Sequence, residues 1–600
     1  MNLPTILDFA SLKALYAAGA TPLDLVDALI TRMNNASDPA IFIARTPDAD
    51  LRAAASALME RAPQANSLPL WGIPFAVKDN IDVLGLPTTA GCPAFAYDPQ
   101  GDAAVIARLR EAGALVIGKT NLDQFATGLN GTRSPHGAPR SVFNADYVSG
   151  GSSSGSAVAV ASGLAAFSLG TDTAGSGRVP AAFNNLVGIK PTPGRISTTG
   201  VVPACRSVDV ITVFANSVAD GVAARKIAEA YDSTDPFSRD FGTTALPATL
   251  TLGVLTDAEK NFYGNEAYAA LYEAAIERAK ALGTTIVEFD YAPFREAEAL
   301  LYQGPWVAER LAAIEPFMRD HADQVDPTVR TIIEGGARYS AVDAFNARYA
   351  LERFTQQTRP TWQTVDALLL PTSADIQTVA AMKADPIALN SRFGLYTNFA
   401  NLMGLSAIAV PAGFTDAGLP FGVTLVGPGD SDEALAPFAA ALHQSVASGS
   451  GLDRAYSPQA VAEAPSDNLE LVVVGAHLSG MVLNHELLSL GAHLVEKTST
   501  APFYRLYALA GTVPPKPGLQ REPDFSGPGI LVEVWSVPPA GFGRFVSRIP
   551  TPLGVGKVQL ADGRHVTGFL CENAALTGAR DITSYGGWRS FVESSISIGS

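Results

Sequence analysis

The sequence predicts an α/β fold in which helices pack on a central sheet, followed by a smaller β-rich α+β domain. Strand and helix patterns alternate early in the chain, with a buried strand at 70–77, an amphipathic helix at 102–112 and another strand at 114–118. This alternation is typical of layered α/β folds. A length of 600 residues exceeds what one core normally holds. The composition also changes at 445–468, which is rich in Ser, Gly, Ala and Pro and is typical of a linker.

The remaining elements continue this pattern. Residues 11–62 are predicted to be helical, because the run Thr-Pro-Leu-Asp at 21–24 provides a capping box with proline at the first helical position. Helices are also predicted at 266–282 and 299–318. The predicted strands that follow lie at 187–190, 250–256, 285–290, 366–371, 402–411, 419–428 and 469–474. We therefore expect a first domain at 1–450, a linker at 451–467 and a second domain at 468–600.

Charge and cysteine content exclude several classes of function. The net charge of −16 argues against a nucleic-acid partner and against an anionic membrane surface, since both need clustered Lys and Arg. Cys92, Cys205 and Cys571 are too far apart to indicate a disulfide framework or a zinc site. The amino terminus lacks the pattern of a secretory signal. These observations favour a cytoplasmic protein without a metal site.

A Gly- and Ser-rich stretch at 150–180 is the most informative part of the sequence. Two hydroxyl-rich turns are joined by a small-residue apolar segment at 157–169, which we expect to be helix-like and buried. Backbone amides in such turns can converge on one anion-sized point, so the pattern favours a nucleophile facing an oxyanion hole. A flexible linker is disfavoured because the joining segment carries no charge. A phosphate-binding loop remains an alternative, although the P-loop ending and the spaced glycines of a dinucleotide site are missing.

A serine in this stretch needs a base, and histidine is a poor candidate. Three histidines precede the predicted linker, and none lies in a Gly-x-Ser-x-Gly setting. Lys78, at the end of the strand at 70–77, can serve if burial keeps its amine neutral. The alternative, which local sequence alone favours, is a strand-end lysine paired with Asp79.

These residues resemble the amidase signature family of serine hydrolases. Ser152 follows a double glycine and precedes Ser176 by 24 residues, which is the family's spacing. The run GIPFAVKD at 72–79 is similar to the family's lysine motif. One departure is Ala174, since the family usually has a second glycine there. The resemblance implies a mixed central sheet flanked by helices.

The resemblance also implies a catalytic role for each matched residue. Ser176 is the expected nucleophile, Lys78 the base, and Ser152 the relay between them. Ser152 is equally compatible with capping the helix that follows. The oxyanion hole would consist of the backbone amides of Thr173, Ala174, Gly175 and Ser176. Asp172 and Arg178 are expected to hold this turn.

A second block points to the substrate. Tyr302 and Arg310 are eight residues apart, which on a helix places them within about 80° of each other. Arginine suits bidentate capture of a carboxylate, although an exposed arginine paired with a nearby glutamate is the simpler alternative. The block at 302–310 is similar to allophanate hydrolases, a branch of the amidase family, and this implies that both residues bind the substrate's carboxylate. Gly128, in the glycine-broken loop at 121–131, is a further candidate for substrate binding.

The last part of the chain strengthens this resemblance. The runs LVVVGAHLSG at 471–480, YRLY at 504–507 and VEVW at 532–535 look like the γ-glutamyl cyclotransferase-like domain that follows the amidase core of allophanate hydrolases. His477 lies just after a strand, and the resemblance implies that it helps decarboxylate the first product. A structural histidine, or a domain that serves oligomerisation or scaffolding, remains an alternative.

The expected reaction follows from the resemblance. The terminal amide of allophanate would be cleaved to ammonia and N-carboxycarbamate, with no metal or organic cofactor. A homodimer is expected, with no nucleic-acid or membrane partner. Functional coupling to a biotin-dependent urea carboxylase or to cyanuric-acid pathway enzymes is also expected. The alternatives are a broad-specificity amidase, an amidotransferase A subunit and a non-catalytic assembly subunit.

Overall fold

A computed structural model describes residues 1–247, 249–461, 468–511 and 515–596. The chain divides into two compact units, Met1–Ala462 and Glu463–Ser600, which are described separately. The helices described in the first unit are α1 (Phe9–Ala17), α2 (Pro22–Asn34), α3 (Asp48–Arg61), α4 (Ala104–Glu111), α5 (Ser154–Ala161), α6 (Val179–Phe183), α7 (Val218–Ala228), α8 (Glu266–Ala281), α9 (Ala292–Gln303), α10 (Trp306–His321), α11 (Pro327–Glu334), α12 (Ala341–Thr364), α13 (Val379–Ala384), α14 (Ala388–Phe393), α15 (Phe399–Leu402) and α16 (Asp432–Val446). Its strands are β1 (Phe42–Arg45), β2 (Pro74–Lys78), β3 (Leu115–Thr120), β4 (Phe167–Asp172), β5 (Val187–Lys190), β6 (Val210–Ala215), β7 (Thr251–Leu255), β8 (Thr285–Phe289), β9 (Ala367–Pro371), β10 (Ser406–Phe414) and β11 (Pro420–Gly427).

All of these strands form one sheet, in the order β1-β3-β2-β4-β6-β5-β10-β11-β9-β7-β8. Strand β2 is parallel to both neighbours, β3 and β4. From β4 to β9 each successive pair is antiparallel. The β9–β7–β8 edge is parallel again. Helices cover the sheet through two large apolar clusters, one around Phe75 and Phe167 and the other around Leu369 and Leu425. The predicted α/β class with a mixed central sheet is therefore confirmed.

The segment between the two glycine-rich turns differs from the prediction. The sequence predicts a helix-like segment over 157–169, but α5 ends at Ala161 and β4 begins at Phe167. The second half is a strand because it pairs with β2 on one side and β6 on the other. Since β2 and β4 are parallel neighbours, their carboxyl ends lie at one edge of the sheet. This arrangement brings the turn after β4 close to Lys78.

Two predicted helices are interrupted. Within 11–62, strand β1 separates α2 from α3 because it pairs with β3, far along the chain. Within 299–318, α9 ends at Gln303 and α10 begins at Trp306. The residues between them are Gly304 and Pro305, and proline cannot donate the hydrogen bond that a continuous helix requires. The predicted strands of the first unit are otherwise present, with shifted ends.

The second unit is smaller and β-rich, as predicted. Its described strands and helices are β12 (Leu469–Val473), β13 (His493–Ser499), β14 (Tyr504–Ala508), β15 (Pro517–Arg521), β16 (Leu531–Val537), β17 (Leu553–Gln559), β18 (His565–Cys571), β19 (Arg580–Asp581), α17 (Asn484–Ser489), α18 (Pro539–Val546) and α19 (Trp588–Ile596). The strands form sheets of order β13-β16-β12-β18-β17 and β15-β14-β19. Residues 462–467 of the predicted linker lie outside the described residues. Within the described ranges, no helix is both long and apolar enough to cross a membrane.

Candidate active site

Lys78 is the last residue of β2 and is completely buried. Its Nζ donates to Ser152 Oγ at 2.8 Å and to Thr171 Oγ1 at 2.7 Å. Burial lowers the pKa of Lys78 to about 7, although the carboxylates of Asp123, Asp209 and Asp172 oppose this shift and Arg310 adds to it. A substantial fraction of the amine is therefore neutral near pH 7, as a general base requires.

The alternative pairing of Lys78 with Asp79 is wrong. Asp79 instead forms a buried ion pair with Lys119, with 3.2 Å between Oδ1 and Nζ. Its other oxygen accepts hydrogen bonds from the amide and hydroxyl of Thr89. These contacts join the end of β2 to β3 and to the following loop. The Lys78 amine instead contacts the hydroxyls of Ser152 and Thr171.

Ser152 is reached through a tight glycine turn. Gly151 is required there because a Cβ atom would lie 2.2 Å from Asp123 Oδ2. The same carboxylate accepts hydrogen bonds from the amides of Gly131 and Arg133. The turn and the loop at 121–131 are therefore built around one buried carboxylate, and this places Ser152 beside Lys78.

Ser176 lies in the turn that follows β4 and is 2% exposed. Its Oγ donates to the carbonyl of Gly128 at 3.5 Å. In the described parts of the chain, no hydrogen bond joins Ser176 to Ser152. The geometry thus contains the Lys78–Ser152 half of the predicted proton relay, whereas transfer between the two serines stays a prediction. Gly128 lies next to Ser176, and a Cβ atom added to Gly128 would lie 2.5 Å from Asp123 Oδ2.

A network of buried charges fixes the turn. Arg178 donates to both oxygens of Asp172 at 3.0 Å, and Asp172 also accepts from the amide of Gly177 at 3.0 Å. Asn401 donates to the carbonyl of Asp172 at 2.7 Å. Asp172 and Arg178 hold the turn as expected. No described residue accepts a hydrogen bond from the four successive amides predicted to form the oxyanion hole, those of Thr173, Ala174, Gly175 and Ser176.

Tyr302 and Arg310 meet, although they lie on different helices. Arg310 is 2% exposed, and its Nη2 donates to the Tyr302 hydroxyl at 3.3 Å. Nη1 donates to Thr127 Oγ1 at 3.1 Å, and Nε has no partner among the described residues. Glu309 instead accepts from Ser207. The exposed Arg–Glu pair considered above is therefore wrong, and the buried guanidinium keeps an unused donor.

A cavity of about 310 Å³ lies next to this pair. Tyr302 and Leu129, the neighbour of Gly128, line it together with Arg133, Asn390 and Asn398. The cavity is large enough for a small polar substrate, and its wall contains one of the two predicted carboxylate-binding residues.

Sequence reasoning missed four polar residues that shape the site. They are Asp123, Thr171, Asp209 and Asn401, all of which are buried. Thr171 had a usable signal, since it lies near the end of β4, two residues before the hydroxyl-rich turn that begins at Thr173. The others had none, because their partners are distant in sequence or are backbone groups.

His477 lies in the second unit, after β12, and lines a cavity of about 290 Å³. Its Nε2 lies 3.1 Å from Glu486 Oε2, and its ring stacks on Phe569 with the ring centroids 5.7 Å apart. Burial lowers the pKa of His477, while Glu486 opposes that shift. Lys516 and Arg548 line the same cavity. Among the described residues, no three potential metal ligands of the His, Cys, Asp or Glu type form a cluster.

Comparison with known proteins identifies both units. The family model described as Amidase matches residues 24–436, and that of the Allophanate hydrolase C-terminal domain matches residues 469–593. Urea amidolyase of Saccharomyces cerevisiae is 44% identical over 555 residues, covering 89% of this chain and 30% of that protein. Urea amidolyase of Lachancea kluyveri is 43% identical over 589 residues, covering 95% and 32%. This chain thus spans about a third of the length of these curated relatives.

A solved structure extends the likeness to the whole chain. The allophanate hydrolase of Kluyveromyces lactis superposes with a TM-score of 0.80 at 40% identity, covering 98% of this chain and 100% of that one. The predicted resemblance is confirmed in both units. The chain belongs to the amidase family, and its second unit is an allophanate hydrolase C-terminal domain.

Proposed function

We propose that this chain hydrolyses the terminal amide of allophanate. The observation that carries the proposal is the buried Arg310 guanidinium, which contacts Tyr302 and keeps an unpaired Nε within the described residues. A buried cation with an unused donor favours an anionic ligand, and a carboxylate matches the guanidinium best. The names of the relatives, urea amidolyase and allophanate hydrolase, support the same substrate.

The first step is attack by Ser176 on the terminal carbamoyl carbon. Neutral Lys78 takes the proton through Ser152 while the C–O bond forms. The amides of the turn at 173–176 stabilise the negative oxygen of the tetrahedral intermediate. The same proton then passes to the nitrogen, the C–N bond breaks and ammonia leaves. An acyl-enzyme remains, in which Ser176 Oγ is esterified by the carboxycarbamoyl group.

Water completes the cycle. Lys78, neutral again, removes a proton from the attacking water through Ser152 as the new C–O bond forms. The bond from the acyl carbon to Ser176 Oγ then breaks, the proton returns through Ser152 to Ser176 Oγ, and N-carboxycarbamate is released. Arg310 and Tyr302 hold the carboxylate at the far end of the substrate in both steps. Because neither residue touches the reacting carbonyl, they set which amides bind rather than how the bond breaks.

The second unit would act on this product. His477, paired with Glu486 and flanked by Lys516 and Arg548, lines a cavity that suits a small dianion. We propose that it assists loss of carbon dioxide from N-carboxycarbamate, and that carbamate then yields ammonia and carbon dioxide. The proposed domain limits are 1–450 and 468–600, joined by a linker at 451–467.

The setting of the enzyme is a further proposal. We infer a cytoplasmic homodimer coupled to a biotin-dependent urea carboxylase or to cyanuric-acid pathway enzymes, which would supply allophanate. The greater length of the urea amidolyases is consistent with a carboxylase partner. Sedimentation of the full chain would test the dimer.

Ammonia release from allophanate by the full-length chain tests the proposed function. The expected result is release that is abolished by Ser176→Ala. Biuret, in which a neutral amide replaces the carboxylate, is the matched substrate. Hydrolysis of biuret and simple amides without preference for allophanate would indicate a broad amidase. Absence of hydrolysis of every amide, in a folded protein, would indicate an assembly subunit.

A further inference from the structure

Asp209 is a buried carboxylate that the mechanism above does not use. It directly precedes β6, and one of its oxygens accepts a hydrogen bond from Thr173 Oγ1 at 2.5 Å. The other oxygen accepts from the amides of Ala204 and Cys205 at 2.7 and 3.1 Å. Thr173 begins the turn whose amides form the proposed oxyanion hole. Asp209 therefore joins that turn to the loop at 204–207.

The loop at 204–207 in turn contacts the helix that carries Arg310. Cys205 Sγ donates to the carbonyl of Trp306, the first residue of α10, at 3.4 Å. The amide and hydroxyl of Ser207 both donate to the carboxylate of Glu309 at 2.7 Å. Three groups of contacts thus form a continuous path from Thr173 through Asp209 to the start of α10.

In the proposed function, the residues at the two ends of this path bind opposite ends of allophanate. The amides at 173–176 would contact the carbonyl that reacts, and Arg310 would contact the carboxylate. A small error in the separation of these groups weakens either the transition state or substrate binding, because a short rigid substrate cannot adjust.

We propose that Asp209 is a positioning residue that sets the distance between the nucleophile turn and the Arg310 helix. It acts through Thr173 and through the loop at 204–207, and it does not touch the substrate. This inference rests on the proposed function and deepens it. It predicts that replacing Asp209 affects both kcat and KM, although no contact with the substrate is lost.

The charge of Asp209 provides a second readout. Burial raises its pKa to about 6, while the Thr173 hydroxyl, Arg310 and two amides oppose that rise, so Asp209 is largely ionised above pH 7. The carboxylates that raise the pKa of Lys78 are Asp123, Asp209 and Asp172, and Arg310 lowers it. Removing the charge of Asp209 therefore lowers the pKa of Lys78 further, and the acidic limb of the activity profile moves to lower pH.

The experiment uses Asp209→Asn in the full chain, with Thr173→Val and Thr173→Ser as matched variants. The Asn variant keeps the shape of the side chain and removes its charge. We expect roughly a 10- to 100-fold lower kcat for allophanate, comparable with partial loss of one oxyanion donor, together with a higher KM. Thr173→Val should lower kcat at least about tenfold, and Thr173→Ser, which keeps the hydroxyl, should restore it.

The rate at which a fluorophosphonate labels Ser176, measured between pH 5 and 9, shows where the rate falls at acidic pH. This measurement needs no amide substrate. We expect the labelling rate of Asp209→Asn to fall at a lower pH than that of the unaltered chain. Failure of the unaltered chain to hydrolyse allophanate would count against the proposed function alone, because the labelling still tests Asp209. A maximal labelling rate in Asp209→Asn equal to that of the unaltered chain would overturn the inference, because the turn that carries Ser176 would then not depend on Asp209. Equal loss in Thr173→Val and Thr173→Ser would also overturn it, since a general structural defect would then explain the data.

Discussion

The dependence of acylation on the protonation of Lys78 gives the sharpest test of the site. Lys78 is fully buried, and desolvation brings its pKa to about 7. Only the neutral amine can accept a proton from Ser152. The neutral fraction is about one half at pH 7 and falls about tenfold for each further unit of acidification. The rate of Ser176 acylation should therefore be nearly constant above pH 8, and at pH 5 it should be roughly a hundredfold lower than the plateau.

The substitution Lys78→Arg separates this explanation from others. Arginine retains the positive charge and donors but is not deprotonated in proteins, so it cannot act as the base. We expect acylation to be lost at every pH, without recovery on the alkaline side. The assays are fluorophosphonate labelling of Ser176 and ammonia release from allophanate. As a control, Thr171→Val removes the other hydroxyl that Lys78 contacts. In this variant the acylation rate should still fall at acidic pH. Lys78→Arg with an unchanged pH profile would refute a neutral lysine base.

Three further predictions concern specificity, the second unit and stability. Arg310→Ala should raise KM for allophanate roughly 10- to 100-fold, the value of a hydrogen bond to a charged group, and should leave KM for biuret within about threefold; equal effects on both substrates would contradict carboxylate recognition. His477→Ala should leave the rate of release of the first ammonia within about twofold of that of the unaltered chain and should slow the release of carbon dioxide. Stopped-flow detection with a pH indicator would follow the carbon dioxide. An unchanged rate of carbon dioxide release would contradict a role for His477 in the mechanism. Asp172→Asn should lower the free energy of unfolding by about 3 to 5 kcal/mol, because Arg178 is left as an uncompensated buried charge. Urea denaturation measures this free energy. The exposed pair of Lys280 with Glu277 is the matched control, and Lys280→Gln should lower the free energy of unfolding by about 1 kcal/mol or less.

Local patterns were sufficient for part of the fold. Strands such as β5 and β9 were predicted almost residue for residue, because a short apolar run between turn signals has few other stable conformations. Strand β1 was missed because its pairing with β3 involves residues about 75 positions later in the chain. The break between α9 and α10 is marked in the sequence by Gly304-Pro305, although the pattern on both sides predicts one continuous helix.

The contacts of the candidate site depended on the tertiary structure. Sequence spacing placed Tyr302 and Arg310 on one helix, whereas they meet across the junction of two helices. Local sequence favours a pair of Lys78 with Asp79, whereas in the structure Asp79 forms an ion pair with Lys119 of the neighbouring strand β3. Asp209 carried no recognisable pattern, since two of its three partners are backbone amides.

By itself the sequence determined the residue types and spacings from which the site is predicted: two serines at a fixed separation, a lysine at a strand end, and a Tyr–Arg block. Residue type and spacing are properties of the primary structure, so they can be read without knowing the fold. Only the tertiary structure decided how far the pKa of Lys78 is lowered, which hydroxyls the lysine contacts and which groups Arg310 contacts. Desolvation and electrostatic fields arise from groups brought together by packing, and no local stretch of sequence contains them.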